Sequence, residues 1–310
     1  MTGQNLGMKR LQPARAKRRL TKMLQELREG AEKTQIELGQ ELGWSQSKVQ
    51  RIENGLTTIT KADLYYLLNH FGIRPDGDRF KELDWLGEQA RAKPRYGEFR
   101  SILTDRNYAA YLEQEEGASS LRQHEPSLVP GILQTERYSM ALLHEFLEID
   151  QASERTQEEL LERAERIAAL RQRRQEDLIG RGAEGMLRAE FLINEAVIRQ
   201  AIGAEVGDKT VMTQQLKHLQ TLARVENVSI GILTFGVGSH RGMQGPFVVL
   251  DFAEEDESPL LYVENARGDY ATNINEDEIR ARINVFQSLQ QRAVYGDQFD
   301  EVIESAIREM

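Results

Sequence analysis

The chain has 310 residues, 40% of them apolar, and a formal net charge of −10 at pH 7; at ~150 residues per domain it folds more readily as two units than as one. It contains no cysteine, which excludes disulfides, thiolate metal sites, Fe–S clusters and a cysteine nucleophile. No segment approaches the ~18 consecutive apolar residues of a membrane span, and the N-terminal MTGQNLGMKRLQPARAKRRL carries charge without an apolar signal core. The expected location is therefore the cytoplasm, away from any membrane. The five histidines, His70, His124, His144, His218 and His240, form no i, i+4 pair on a helix, so neither a metal nor another cofactor is expected.

The charge is uneven. Residues 1–61 carry 12 Lys/Arg against 6 Asp/Glu, a net +6, which leaves −16 on residues 62–310. A basic head on an acidic body orients head-first toward a phosphate backbone, although short windows also fluctuate in charge by chance.

Helix signals are dense in the first hundred residues. After Pro13, Leu20, Leu24 and Leu27 recur at i, i+4, i+7 and predict a first helix ending near Gly30. Thr34 with Glu37 reads as a capping box opening a second helix, with Leu38 and Leu42 inward and Gly43 stopping it. Ser45 can cap a third, whose Val49 and Ile52 face the core and which ends at Asn54-Gly55. Thr60 with Asp63 opens a fourth bearing Leu64, Leu67, Leu68 and Phe71, and a fifth spans roughly Asp78–Ala92.

Only Gly43 and Trp44 separate the second helix from the Ser45 cap, which is helix–turn–helix spacing. Gly39 in mid-helix costs ~1 kcal/mol relative to alanine and is best explained by a close helix crossing. T-Q-x-x-L at Thr34–Leu38, Gly-x-Ser at Gly43–Ser45 and Ile-Glu-Asn-Gly at Ile52–Gly55 together resemble the helix–turn–helix of the phage-repressor/Cro class, the XRE type, over about residues 15–72. That resemblance implies that the third helix enters the major groove. Its candidate DNA contacts are Ser45, Gln46, Ser47, Lys48, Gln50 and Arg51, side chains that can read base edges, with Gln35 and Asn54 toward phosphates. The backbone N–H near Gly55 would cap a phosphate as well. Arg18, with Arg15, Arg19 and Lys22, lies on one side of the first helix and either reaches the DNA backbone or is simply solvated. Trp44 either packs over the fourth helix or touches a sugar, and packing is the expectation.

Past Lys93-Pro94 the pattern changes, giving expected domains of 1–93 and 94–310. Phe99–Arg122 reads as helix, with Tyr108, Tyr111 and Leu112 inside, followed by the turn LVPGILQT (128–135) and a helix at Glu136–Leu147 capped by Thr135. A long helix follows at about Ser153–Leu178, whose Arg171, Arg173 and Arg174 form either a binding cluster or cations that complement the helix dipole. Strands are expected at MLRAEFLI, SIGILTF, FVVLDF and LLYVE, with helices near Ala196–Ile202 and Thr210–Ala223 between them and two more at Glu276–Ala293 and Gln298–Arg308. The fold class is thus multidomain: an all-α N-terminal domain and an α+β C-terminal domain with a mixed or antiparallel sheet.

VPGILQTERYSMALL, the RQRRQ run, FLINEAVIRQAIG, QQLKHL, the loop containing Ser239-His240, PFVVLDF and LLYVE, in this order, resemble the large domain that follows the helix–turn–helix in actinobacterial regulators of the WhiJ-like or Scr1-type group, over roughly residues 95–305. The resemblance implies transcription regulation, often beside a gene for a small partner protein. Glu195, His240, Tyr262 and Glu264 are the candidate ligand-binding residues of this half, although Glu195 can equally cap a helix and Tyr262 can be core. The loop GVGSHRGMQG, with four glycines, either cradles an anion or is a long hairpin loop, and it matches no nucleotide fingerprint.

The expected function is a sequence-specific DNA-binding transcriptional regulator, a homodimer on an inverted-repeat operator in double-stranded DNA. Its C-terminal domain would respond to a small molecule or a small partner protein. An antitoxin-like interaction protein that masks such a partner and autoregulates its own operon is the alternative. No catalytic constellation is visible, so an enzyme is not expected.

Overall fold

The computed structural model describes residues 13–53, 55, 57–93, 95–103, 106–149, 156–180, 187–204, 207–208, 210–253, 258–264, 270–272 and 275–310. The chain divides into two units, Met1–Gly97 and Glu98–Met310. No helix among the described residues is long and apolar enough to cross a membrane.

The first unit is all helical: α1 (Pro13–Gly30), α2 (Gln35–Leu42), α3 (Gln46–Glu53), α4 (Lys61–His70) and α5 (Asp78–Ala90). Leu20 and Leu24 of α1, Leu38 and Leu42 of α2, Val49 and Ile52 of α3, Leu64, Leu67 and Leu68 of α4, and Leu83 and Leu86 of α5 pack into one core, and Leu27 and Phe71, also read as inward from the sequence, are half-buried against it. The Thr34 hydroxyl accepts from the Glu37 N–H at 3.2 Å while the Glu37 carboxylate accepts from the Thr34 N–H at 2.8 Å, a reciprocal cap. That bond from the Thr34 backbone, with a second from its hydroxyl, holds the Glu37 carboxyl below the usual carboxylate range.

The second unit is α+β. Its helices are α6 (Arg106–Gly117), α7 (Glu136–Ile149), α8 (Gln157–Gly180), α9 (Glu195–Arg199), α10 (Thr210–Leu222), α11 (Glu276–Gln290) and α12 (Gly296–Arg308). Its strands are β1 (Ser120–Glu125), β2 (Arg188–Asn194), β3 (Val228–Leu233), β4 (Phe247–Asp251), β5 (Leu260–Val263) and β6 (Tyr270–Thr272), in the order β3-β2-β1-β4-β5-β6. The β1–β2 and β2–β3 pairs are parallel and the β1–β4, β4–β5 and β5–β6 pairs antiparallel, so the sheet is mixed.

One correction to the sequence reading concerns its centre. Residues 120–122, expected to end a long helix, instead begin β1, and the helix stops at Gly117. On one face Leu192, Phe247, Val249, Leu261 and Val263 pack against Ile279, Phe286 and Leu289 of α11. On the other, Tyr262 stacks on Tyr111 of α6 with ring centroids 4.6 Å apart. Behind that stack Arg174 of α8 donates to the Glu115 carboxylate of α6 at 2.5 Å and 2.8 Å, with both side chains buried.

The RQRRQ run lies against the LVPGILQT turn. Arg171 donates to the Gln134 side-chain oxygen at 2.7 Å and to the Ser139 hydroxyl at 2.5 Å. The Gln172 and Gln175 amides donate to the carbonyls of Gln134 and Ile132, each at 2.9 Å. From α10 the fully buried Gln215 donates to the Leu133 carbonyl at 2.8 Å and accepts from the Thr135 N–H at 2.7 Å. A buried loop must satisfy its backbone polar groups, and these side chains satisfy them. Arg171 and Arg174 therefore work inside the unit, and Arg173 alone of the three is exposed.

Candidate nucleic-acid interface

Three devices set the angle of α3. Gly43 closes α2 in the left-handed conformation, φ 66°, with its N–H on the Gln40 carbonyl. The next N–H, of Trp44, donates to the Gly39 carbonyl at 2.7 Å. Gly39 admits this fold-back, since a Cβ there would stand 2.9 Å from the Trp44 carbonyl oxygen. Ser45 then caps α3, its hydroxyl accepting from the Lys48 N–H at 3.2 Å.

The side of α3 turned inward carries Val49, Ile52 and Glu53. Glu53 is 5% exposed and ties three helices together. Its carboxylate accepts from Arg28 of α1 at 2.8 and 3.1 Å and from the Gln35 amide of α2 at 2.8 Å. Its backbone carbonyl accepts from the Gln25 amide at 2.9 Å. The hydrogen bond to Glu53 raises the Arg28 pKa against the cost of its burial. A charge placed this deep is stable only when paired and hydrogen-bonded, as this one is.

The outward side presents Ser45, Gln46, Ser47, Gln50 and Arg51, all exposed. Ser45 and Ser47 share a hydrogen bond at 3.1 Å, and Arg51 is steadied by one from its Nε to the Ser47 carbonyl at 3.2 Å. Lys48 is placed differently. Its ammonium lies 2.8 Å from Asp63 of α4 and 4.0 Å from the centre of the Trp44 ring. Trp44 packs toward α4, its ring centroid 6.4 Å from that of Tyr66. Gln35 uses one amide N–H on Glu53 and keeps a second.

The Gly55 N–H donates to the Ile52 carbonyl at 3.0 Å, so it is engaged within the chain rather than open to a phosphate. Asn54 lies outside the described residues. Arg18 is half-buried on α1, and Arg19 pairs with Glu82 of α5 at 2.5 Å. Lys17, absent from the sequence-based set, reaches the end of α3: its Cε is 3.9 Å from where a Gly55 Cβ would be.

The four ligand candidates of the second unit are not brought together. The Glu195 carboxylate accepts from the Phe235 N–H at 2.8 Å and from Arg199 at 2.7 Å, which anchors a loop. Tyr262 is core. Glu264 is exposed near Glu125, whose pKa is pushed up to about 8 by burial first and by the Glu264 charge second. His240 sits over the α11 face, its ring 6.0 Å from that of His124. His124 lies between the Leu192 and Gly242 carbonyls at 3.1 and 3.0 Å, and burial lowers its pKa to about 4.

Residues 108–305 match the model of a domain of unknown function, DUF5753. The chain belongs to the DUF5753 family. In this DUF5753 protein residues 19–80 also match a helix-turn-helix domain model, which covers all of α2 and α3 and points to a DNA-binding regulator. No curated protein matches the chain, and no solved structure does.

Proposed function

We propose that this DUF5753 protein is a sequence-specific transcriptional regulator of the XRE kind, a homodimer on an inverted-repeat operator, controlled through its second unit as in the WhiJ-like or Scr1-type group that it resembles. The observation that carries the reading is the outward face of α3. Gln46, Ser47, Gln50 and Arg51 stand exposed on a helix whose inner side is locked by the buried Glu53. Glutamine can pair bidentately with adenine and arginine with guanine, and each good pair is worth ~1–3 kcal/mol of discrimination. One such helix offers few contacts, and two half-sites about 34 Å apart are the ordinary route to higher specificity. Gln35 and Lys17 border that face and would hold phosphates, with Arg18 of α1 the further candidate.

The test is selection from random duplex DNA with the full chain, repeated at several salt concentrations. Enrichment of an inverted repeat with half-sites one helical turn apart is the expected result. Salt-dependent binding with no enriched motif would leave a phosphate-gripping head only and overturn the operator reading.

A further inference from the structure

We propose that the groove between the Phe235–Gly245 loop and α11 binds a small organic anion: an apolar skeleton bearing a carboxylate or phosphate group. The groove encloses about 470 Å³, within the ~300–1,000 Å³ usual for small-molecule sites. Its floor is apolar, made by Ala281, Val285 and Leu289 on successive turns of α11. Its rim is cationic, with Arg241 from the loop and Arg292 just past α11. No lining residue is acidic, in a chain whose net charge is −10.

Among the described residues no carboxylate lies in ion-pair range of Arg241 or Arg292. Arg292 donates to the Val237 carbonyl at 2.5 Å, which aims its guanidinium and leaves further N–H groups for a ligand. Asn284 and Ser288 add neutral hydrogen-bonding groups to the same wall. His240 closes the loop side of the groove, and burial first and the Arg292 charge second lower its pKa.

The platform is stiff before anything binds. Gly242 is pressed onto His124, whose Nε2 would be 2.5 Å from an added Cβ. Gly238 and Gly245 turn the loop at φ 71° and 135°, conformations that other residues rarely adopt. One effect opposes an anion here, because the C-terminus of α11 presents a partial charge of about −0.5. Two full guanidinium charges outweigh it.

Binding at this groove is a property of the second unit and stands or falls separately from DNA recognition by α3. Calorimetric titration of the full chain with octanoate, octyl phosphate, 1-octanol and inorganic phosphate tests it. Expected is one saturable site for octanoate or octyl phosphate, at least tenfold tighter than for octanol or inorganic phosphate, with the preferred head group identifying the anion class. Arg241→Gln should weaken that binding about tenfold at unchanged melting temperature, and Ser288→Trp should block it by filling the groove. Equal affinity for octanol, binding unaffected by both substitutions, or no binding of either organic anion at millimolar concentration would each overturn the proposal. Loss of operator selection together with intact anion binding would remove the function proposed above and leave this site standing.

Discussion

Gln35 and Glu53 stand 18 residues apart in the chain and share a 2.8 Å hydrogen bond from amide to carboxylate. The bond joins the first residue of α2 to the last of α3, so the two arms of the helix–turn–helix are clamped at the ends away from their turn. Arg28 brings α1 into the same clamp.

Arg28→Met should destabilise the first unit by ~3–5 kcal/mol, because it leaves the Glu53 carboxylate buried without its counter-charge. Both tryptophans, Trp44 and Trp85, lie in that unit. Tryptophan fluorescence on heating or in urea therefore reports its unfolding alone. A transition that moves no more than for an ordinary surface substitution would show that Glu53 is solvated.

Lys48→Met and Gln46→Ala should separate shape from reading. The Lys48 side chain is about one-third exposed and already occupied by Asp63 and Trp44. Its removal should lower stability by about 1 kcal/mol or less and leave base preference as it was. Gln46→Ala or Gln50→Ala should flatten the preference at one or two operator positions by ~1–3 kcal/mol each, read by competition with single-base variants. Arg18→Ala should weaken all sequences alike and reduce the salt slope by about one.

Gly39→Ala tests the crossing of α2 and α3. In an exposed helix this change would gain ~1 kcal/mol of helix propensity. Here the new methyl meets a backbone oxygen at 2.9 Å rather than a movable side chain. A net loss of ~1–3 kcal/mol is expected from the overpacking, together with weaker operator binding as α3 is displaced. A melting temperature at or above that of the parent chain would mean that the turn can yield.

The second unit should show opposed pH slopes around the β1 strand. Glu125 is protonated in the fold up to about pH 8 but ionises near the ordinary glutamate value of 4.5 when unfolded, so its contribution favours folding at low pH and is lost as pH rises between those values. His124 remains neutral in the fold down to about pH 4 but protonates near 6.5 when unfolded, so its effect runs the other way, with stability lost as pH falls from 6.5 toward 4. The two slopes oppose each other where they overlap, and between pH 6.5 and 8 the Glu125 slope stands alone. Glu125→Gln should abolish that decline, a difference of ~2 kcal/mol over 1.5 pH units, seen as a calorimetric transition that no longer moves across this range. A decline that persists in the variant would place its origin elsewhere.

The first unit was largely legible because its signals are local. Thr34 with Glu37, Thr60 with Asp63 and Gly43 are caps whose partners lie within four residues, and the leucine spacings repeat on the helical period. The clamp on Glu53 was not, since its partners come from two other helices and a buried glutamate reads in sequence like a solvated one. β1 was hidden for a related reason. Its sequence SLRQHE shows no apolar alternation, and its polar side chains are met by distant groups: Arg122 by Asp251 at 2.6 Å, and His124 by the carbonyls of Leu192 and Gly242. Likewise nothing in RQRRQ announces that it will hydrogen-bond a turn some 40 residues earlier, as Gln175 does with Ile132, 43 residues away.

The central position of β1 has a consequence during synthesis. Its parallel neighbour β2 is made first, but the strand that covers its other edge runs from Phe247 to Asp251. At ~5–20 residues per second, the stretch between Asn194, where β2 ends, and Phe247 takes roughly 3–10 seconds to be made. Throughout that interval the nascent sheet carries a bare hydrogen-bonding edge at its middle, while the helical unit already made needs no residue beyond its own to close its core. The second unit is therefore where a trigger-factor-like holdase would matter, and where overproduction at high temperature would first yield aggregates.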